Sequence, residues 1–361
     1  NIIGDNQNLT AGTIRTHSGN PYLRWEQTQQ TNVGLDAAFL SSRLLFEIDL
    51  FNKQTRDMLY EPAYAAVLGE GGYSFQNVAA MNNKGIEFNL SWRDSKDDFS
   101  YEISFNGSLN KNRITELPEQ VYYTWGCGNG DNITNVGHPL GSWLGYKTDG
   151  LFRTQAEVDE YMSRYQVQYG APGVGRLRYV DTNGDNVINA KDRIYMGSDQ
   201  PKFIGGLNFS ANWKGFDLSL FFNGMVRQAW NNSKFYTNLW AYWSGNHSTR
   251  LLEAYDAWEN YEKTGRYDSD IPALTTSGSN NENGSSDFFV ENGSYLKLKT
   301  LTLGYTLPEK VLEKCHLRNL RVYLQAQNLF TITSYTGADP EGLGFPYPIP
   351  RTFTFGLSVG L

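Results

Sequence analysis

The 361-residue chain contains only two cysteines, Cys127 and Cys315, and neither sits in a C-x-x-C spacing. A disulfide scaffold and the common Cys-based zinc and redox motifs are therefore excluded. No run of about 18 apolar residues occurs, which rules out a helical membrane protein. The four histidines (His17, His138, His247 and His316) lie far apart, without metal-ligand spacing. Charged residues make up 19%, with a net charge of −7, and no basic stripe gathers the charge that a nucleic-acid partner requires. There is no G-X-Y period and no P-loop motif. Gly356-Leu-Ser358-Val-Gly360 matches G-x-S-x-G in letters only, because a nucleophile elbow needs a strand-to-helix turn and here the chain ends one residue later. Gly69-Glu-Gly-Gly72 likewise lacks the strand-to-helix context of a phosphate cradle. No enzyme is expected. Neither a signal peptide nor an initiator Met opens the chain at Asn1, so the sequence reads as a piece of a longer precursor.

What is abundant is aromatic residues, at 14%, and glycine, with 36. Mean hydropathy is nevertheless −0.51. That combination suits many strands with one apolar face and long polar connections.

The dominant hydropathy period is two. From Phe99 to Leu109 every odd position is apolar or glycine and every even position is polar. Ile86–Trp92, Leu207–Trp213, Phe216–Phe222 and Phe353–Leu361 repeat the pattern, and Val33–Phe39, Leu44–Leu50, Leu301–Leu307 and Leu320–Ala326 repeat it more weakly. Two architectures fit. In a soluble sandwich the apolar faces meet each other; in an outer-membrane barrel they face lipid. The segments are about 10 residues or longer, which is spanning length for a tilted strand. Aromatics (Trp92, Phe99, Trp213, Phe216) recur at strand ends as in interface girdles.

Connections alternate between short and long. Tight turns fall at 41–42, 94–98 and 214–215, with a short one at 308–316; long polar excursions fall at 61–82, 111–202, 227–293 and 331–350. Bacterial barrels place short turns in the periplasm and long loops outside. The parity of the turns makes 111–202 a single excursion and leaves nine crossings: 27–40, 43–59, 83–93, 99–110, 203–213, 216–226, 295–307, 318–330 and 351–361. Nine strands leave two open edges, which lipid does not tolerate, so this chain is expected to be part of a larger barrel. This layout puts Cys127 outside and Cys315 in a periplasmic turn, a membrane apart.

Four stretches carry a family resemblance: Gly19–Glu26 followed by Gln27–Asp36; Asn82–Glu87; Arg178–Ile188 running to Asp192-Arg193 and Pro201; and Gly337–Glu341 with Pro348–Phe353. In this order and spacing the chain resembles the C-terminal part of a SusC/RagA-type TonB-dependent outer-membrane transporter of Bacteroidetes. The resemblance implies an all-β fold, an antiparallel transmembrane β-barrel of 22 strands of which these are the last nine, and a plug domain that is absent from this sequence. It implies import of oligosaccharides or peptides, a SusD-like lipoprotein partner acting as a lid, and TonB acting through the plug. The last residue departs from the family's usual aromatic terminus, being Leu361. The alternative reading is a soluble cell-surface all-β glycan-binding or scaffold protein with a dockerin-like calcium loop.

Two candidate sites stand out. In Asp181-Thr-Asn183-Gly-Asp185-Asn-Val187-Ile-Asn-Ala-Lys-Asp192, oxygen donors fall at positions 1, 3, 5, 7 and 12, which suits a structural Ca²⁺. The bland reading is a solvated Asx-rich turn. The second is an aromatic group in 227–293: Trp230, Phe235, Tyr236, Trp240, Tyr242, Trp243, Tyr255, Trp258 and Tyr261, with Arg250–Lys263 reading as an amphipathic helix. Such rings stack on sugars or anchor a lid protein; the bland reading is that they pack the loop on itself. The inward-facing candidates are Asp36, Glu47, Asp49, Glu87, Glu102, Asp217, Arg321 and Gln325.

Overall fold

A computed structural model describes residues 19–60, 74–118, 121–124, 131–231, 234, 249–275, 282, 284–313, 317–343, 347 and 349–360. In it the alternating segments form one nine-stranded antiparallel sheet. Its strands are β1 (Gln27–Phe39), β2 (Leu44–Tyr60), β3 (Gln76–Lys96), β4 (Phe99–Glu116), β5 (Phe203–Trp213), β6 (Phe216–Val226), β7 (Tyr295–Thr306), β8 (Asn319–Thr333) and β9 (Thr352–Gly360). They pair in this order, so β1 and β9 are the two edges.

The register carries each hydropathy row across the sheet. Ala37 faces Phe46, then Leu90, Phe105, Leu207 and Phe222 follow in turn. One residue along, the row reads Asp36, Glu47, Asn89, Asn106, Gly206, Asn223 and Lys297. A period of two puts these rows on opposite faces. The apolar face is uncovered: Val33 is 64% exposed and Phe355 75%. No second sheet presses on it among the described residues, so the sandwich reading fails. An apolar face of this size belongs against lipid.

Two glycines make that face pack. Gly107 and Gly205 oppose each other, and the rings of Phe88 and Phe203 lie over them. A Cβ on Gly107 would fall 2.6 Å from both rings. At the short-turn end the face gathers Trp92, Phe99, Tyr101, Trp213, Phe216 and Tyr305, with Trp92 Nε1 donating to Tyr101 Oη at 3.0 Å. The two-residue turn between β5 and β6 has φ of 45° at Lys214 and 87° at Gly215, as a type I′ hairpin requires.

Two strands outrun the expected crossings by six residues or more: β3 begins at Gln76 rather than 83, and β4 continues to Glu116 rather than 110. The ladder continues through Asn82–Arg113 and Met81–Ile114. Beyond the apolar band the β3 extension reads Gln76-Asn-Val-Ala-Ala-Met-Asn-Asn83, apolar at four consecutive positions and polar at the rest, so hydropathy stops alternating while the backbone goes on pairing.

The chain's buried core lies not in the sheet but in two of its connections. The β4–β5 connection carries helix α1 (Gln155–Arg164) and a four-stranded sheet that includes Ser142–Tyr146 and Arg193–Gly197. The β6–β7 connection carries helix α2 (Leu251–Thr264). Phe152, Val158, Tyr161, Leu177, Tyr179 and Ile188 from the first bury with Ala257, Tyr267 and Ala273 from the second. A smaller cluster joins Trp143 and Met196 to Trp230 and Phe289. The two connections are therefore one packed cap.

Candidate functional site

The polar face of the sheet carries all eight expected residues: Asp36, Glu47, Asp49, Glu87, Glu102, Asp217, Arg321 and Gln325 share it by register. Asn89 Nδ2 donates to Glu47 Oε2 at 3.1 Å, and Ser91 Oγ to Glu102 Oε1 at 3.3 Å. Arg321 on β8 holds Asp217 on β6 through two hydrogen bonds of 2.9 and 2.6 Å. The face is thus a hydrogen-bonded wall of acids and amides.

The cap meets this wall at the long-connection end. Between them lies a cavity of about 770 Å³, lined by Phe51, Asn110 and Asn112 of the strands and His138, Tyr195 and Gln228 of the cap. The His138 and Tyr195 rings lie 4.5 Å apart. Such a polar-rimmed hollow with ring faces can hold a flexible polar ligand.

The cap is held together by groups that sequence reading did not single out. Glu282 is fully buried; it accepts from Arg176 Nη1 at 3.1 Å and from the Leu177 N–H at 2.9 Å. Burial pushes its carboxyl above the ordinary range, against the pull of Arg176 and the Leu177 N–H. Thr148 donates its N–H and hydroxyl to Asp287 Oδ1, at 2.9 and 2.6 Å, and Tyr146 donates its N–H to Ser285 O at 2.9 Å. Burial also pushes the Tyr267 phenol up to about 12. No local pattern marks Glu282 as a clasp, because its partners lie 105 and 106 residues away.

A third connection folds inward. Lys297, almost wholly buried on β7, bonds Asp339 at 3.2 Å and Glu341 at 2.8 Å, and Lys299 bonds Glu341 at 2.5 Å. Arg227 Nη2 donates to the carbonyls of Pro340 and Glu341. The Gly337–Glu341 motif is thereby tied to the wall and to the start of the β6–β7 connection.

The aromatic group divides. Trp230 is buried, stacked on Phe289 at 5.1 Å and tilted against Trp143 at 5.9 Å. Its ring packs the cap and does not reach a surface, because it lies in the small core with Trp143, Met196 and Phe289. Trp258 is 39% exposed on α2, beside Tyr261 at 5.1 Å, with Nε1 donating to Glu262 at 3.1 Å; Tyr255 is exposed as well. Phe235, Tyr236, Trp240, Tyr242 and Trp243 lie outside the described residues, as do Cys127 and Cys315.

The Asp181–Asp192 loop is closed by its own hydrogen bonds. Asp181 accepts from the N–H groups of Gly184 and Asn186, at 2.7 and 2.8 Å; Asn183 accepts from Asp185 and Asp185 from Val187, both at 2.9 Å. Desolvation acts to raise the Asp181 carboxyl, but the N–H groups of Asn186, Gly184, Asp185 and Asn183 together hold it below the usual range. Asn186 takes a φ of 60°, the left-handed turn that position 6 needs. Asp192 is buried and accepts from the N–H groups of Thr182 and Asn189, at 3.0 and 2.9 Å. Among the described residues no three His, Cys, Asp or Glu side chains converge as metal ligands. A cation here would have to draw on carbonyl oxygens beside Asp181, Asn183 and Asp185.

Comparison with known proteins agrees with this geometry. The family profile described as "TonB dependent receptor-like, beta-barrel" matches residues 3–329. TonB-dependent receptor P3 of Formosa agariphila is 30% identical over 384 residues, covering 99% of this chain and 36% of that protein. TonB-dependent receptor SusC of Bacteroides thetaiotaomicron is 29% identical over 360 residues, covering 96% of this chain and 33% of SusC. Among solved structures, the RagAB peptide transporter matches with a TM-score of 0.73 at 27% identity, covering 95% of this chain and 36% of that one. The chain thus spans about a third of the length of these relatives. It belongs to the SusC/RagA-type TonB-dependent receptor family, as part of an outer-membrane β-barrel.

Proposed function

We propose that the protein of which this chain is part imports oligosaccharides or peptides across the outer membrane, energised by TonB. The observation that carries this reading is the two-faced sheet: an uncovered apolar face for lipid, and a charged, hydrogen-bonded face under a packed cap. In this reading the long connections face the outside, the cavity of about 770 Å³ belongs to the outer vestibule, and a SusD-like lipoprotein closes over the cap. This chain supplies wall and vestibule and carries out no covalent chemistry. The oligosaccharide reading is supported by the exposed Trp258 and Tyr255 on α2. The peptide reading is supported by likeness to the RagAB peptide transporter. The Asp181–Asp192 loop is proposed as a structural Ca²⁺ site that braces the cap.

The test is co-purification of the full-length protein from native membranes, followed by mass spectrometry of bound protein and ligand. A lipoprotein partner carrying a bound oligosaccharide or peptide supports the reading and decides the substrate class. A full-length protein that binds neither, in cells whose growth on such oligomers survives its deletion, would sink it.

A further inference from the structure

The apolar row does not simply stop at the long-connection end. On β3 and β4 it ends at the facing pair Ile86 and Leu109. Two residues further along the same face, Lys84 faces Lys111, and two further still Asn82 faces Arg113. Arg56 continues the row on β2, beyond Asn52 and Gln54, in the unbroken β1–β2 register. All four basic side chains are exposed and line one groove of about 590 Å³, whose only carboxylate among the described residues is Glu116. Among the described residues none of the four has an ion-pair partner; Arg56 donates to Gln54 Oε1 at 3.1 Å.

Like charges directly opposite on neighbouring strands repel, and their Cβ atoms stand only about 5 Å apart. A Lys84–Lys111 pair with no acid between them is destabilising unless an anion sits over it. Its place is specific too: it follows the last lipid-facing residues of its strands, on the lipid side, where a phosphate at the bilayer surface would meet it.

We infer that the Arg56–Lys84–Lys111–Arg113 groove holds the phosphorylated headgroup of an outer-leaflet lipid. The lipid's acyl chains lie along Ile86, Leu90, Phe105 and Leu109, and its phosphate bridges Lys84 and Lys111. This rests on the proposed orientation, with the long connections outside. The site would tie a particular lipid to the barrel wall beneath the cap.

The test places the full-length transporter in phosphatidylcholine nanodiscs doped with lipid A or with lipid A stripped of its phosphates, and counts retained lipid by native mass spectrometry. The wild type should retain the phosphorylated form preferentially. The double variant Lys84→Gln with Lys111→Gln should lose roughly tenfold or more of that retention, since each basic group at an anionic surface contributes several-fold. Lys53→Gln, a basic residue on the opposite face of β2, should change nothing. Equal retention in the double variant, or no discrimination by phosphate, overturns the inference. Displacement by inorganic phosphate alone assigns the site to a free anion and overturns it too. The doped lipid occupies both leaflets, so a reversed orientation does not silence the assay. The readout needs no uptake either: a protein that imports nothing leaves the result standing, and a working importer without phosphate-selective retention removes this inference alone.

Discussion

Arg321 grips Asp217 across the backbone of Gly304, joining strands β6 and β8 over the strand between them. The two residues are 104 positions apart, and the contact exists because Gly304 has no side chain. A Cβ there would fall 2.3 Å from Asp217 Oδ1 and 2.6 Å from Arg321 Nη2. Gly304→Ala is therefore expected to destabilise the barrel by about 1–3 kcal/mol, the usual range for overpacking. Adding Asp217→Ala should recover part of that loss, because it removes the atoms that clash. The check is the thermal unfolding midpoint of the full-length protein in detergent. Additive losses in the double variant would show that the two sites are independent.

A second prediction concerns the clasp of the cap. Glu282→Ala leaves the guanidinium of Arg176 buried without its carboxylate, a change that typically costs about 3–5 kcal/mol. The loss should be local. Limited proteolysis should open the β4–β5 and β6–β7 connections together, because they share one core, while the barrel strands stay protected. Glu282→Gln keeps the acceptor for the Leu177 N–H and should open them less. Cleavage of only one connection would contradict the shared core.

Acid should act on the third connection and on its tie to the cap before it acts on the Glu282 clasp. Glu291 holds Lys234 and Thr336, and Glu341 holds Lys297 and Lys299. Burial acts to raise both carboxyls, but the bonds from Lys234 and Thr336, and from Lys297 and Lys299, bring each below the ordinary 4.5. Their stabilisation is thus complete above 4.5 and is lost as the pH falls through the lower folded values. Glu282 runs the other way: its raised carboxyl favours the proton-bound folded state, so its contribution weakens as the pH climbs above 4.5. Hydrogen exchange should show residues 334–343 loosening on acidification while the Arg176–Leu177 segment tightens or holds.

The strands were legible in the sequence because one face must be apolar and the other wet, which writes a period of two into Phe99–Leu109 and its companions. Legibility ends where that constraint ends. Above the apolar band, Gln76–Asn83 and Lys111–Glu116 no longer alternate apolar with polar, Val78 to Met81 being apolar throughout, and only the structure shows them as strand. The helix read at Arg250–Lys263 lies at Leu251–Thr264, since its apolar positions recur at helical spacing. The union of the two connections was hidden, because Glu282 and Arg176 are far apart in the chain and neither belongs to a local pattern. Trp230 shows the limit most plainly: from sequence, a tryptophan in a long polar loop cannot be told apart as anchor or as core.

The calcium proposal has its own test. With Ca²⁺ added, protease cleavage between residues 181 and 192 of the full-length protein should slow, and a chelator should reverse the effect. Asp185→Ala should abolish the difference, since it removes a carboxylate that no buried group requires. Asp192→Ala is the wrong variant for this purpose. Its carboxylate caps the Thr182 and Asn189 N–H groups, so its loss would loosen the loop with or without metal. Identical cleavage with calcium and with chelator would leave the loop as a hydrogen-bonded turn.

Two tryptophans of the β6–β7 connection, Trp230 and Trp258, make opposite predictions. Trp230→Ala removes a ring packed between Trp143 and Phe289 and should cost about 3–5 kcal/mol of cap stability. Trp258→Ala removes a ring that is 39% exposed, and should leave the unfolding midpoint within about 0.5 kcal/mol of wild type. If α2 is a contact surface for lid or substrate, it is the second variant that should weaken lipoprotein co-purification or uptake, because an exposed Trp contributes to binding what it does not contribute to folding. Measuring stability and association on the same pair of variants separates the two roles. A Trp258→Ala protein that is stable and associates normally would remove α2 from the contact surface. It would leave the cap's wall-facing cavity, lined by His138 and Tyr195, as the place where substrate is met.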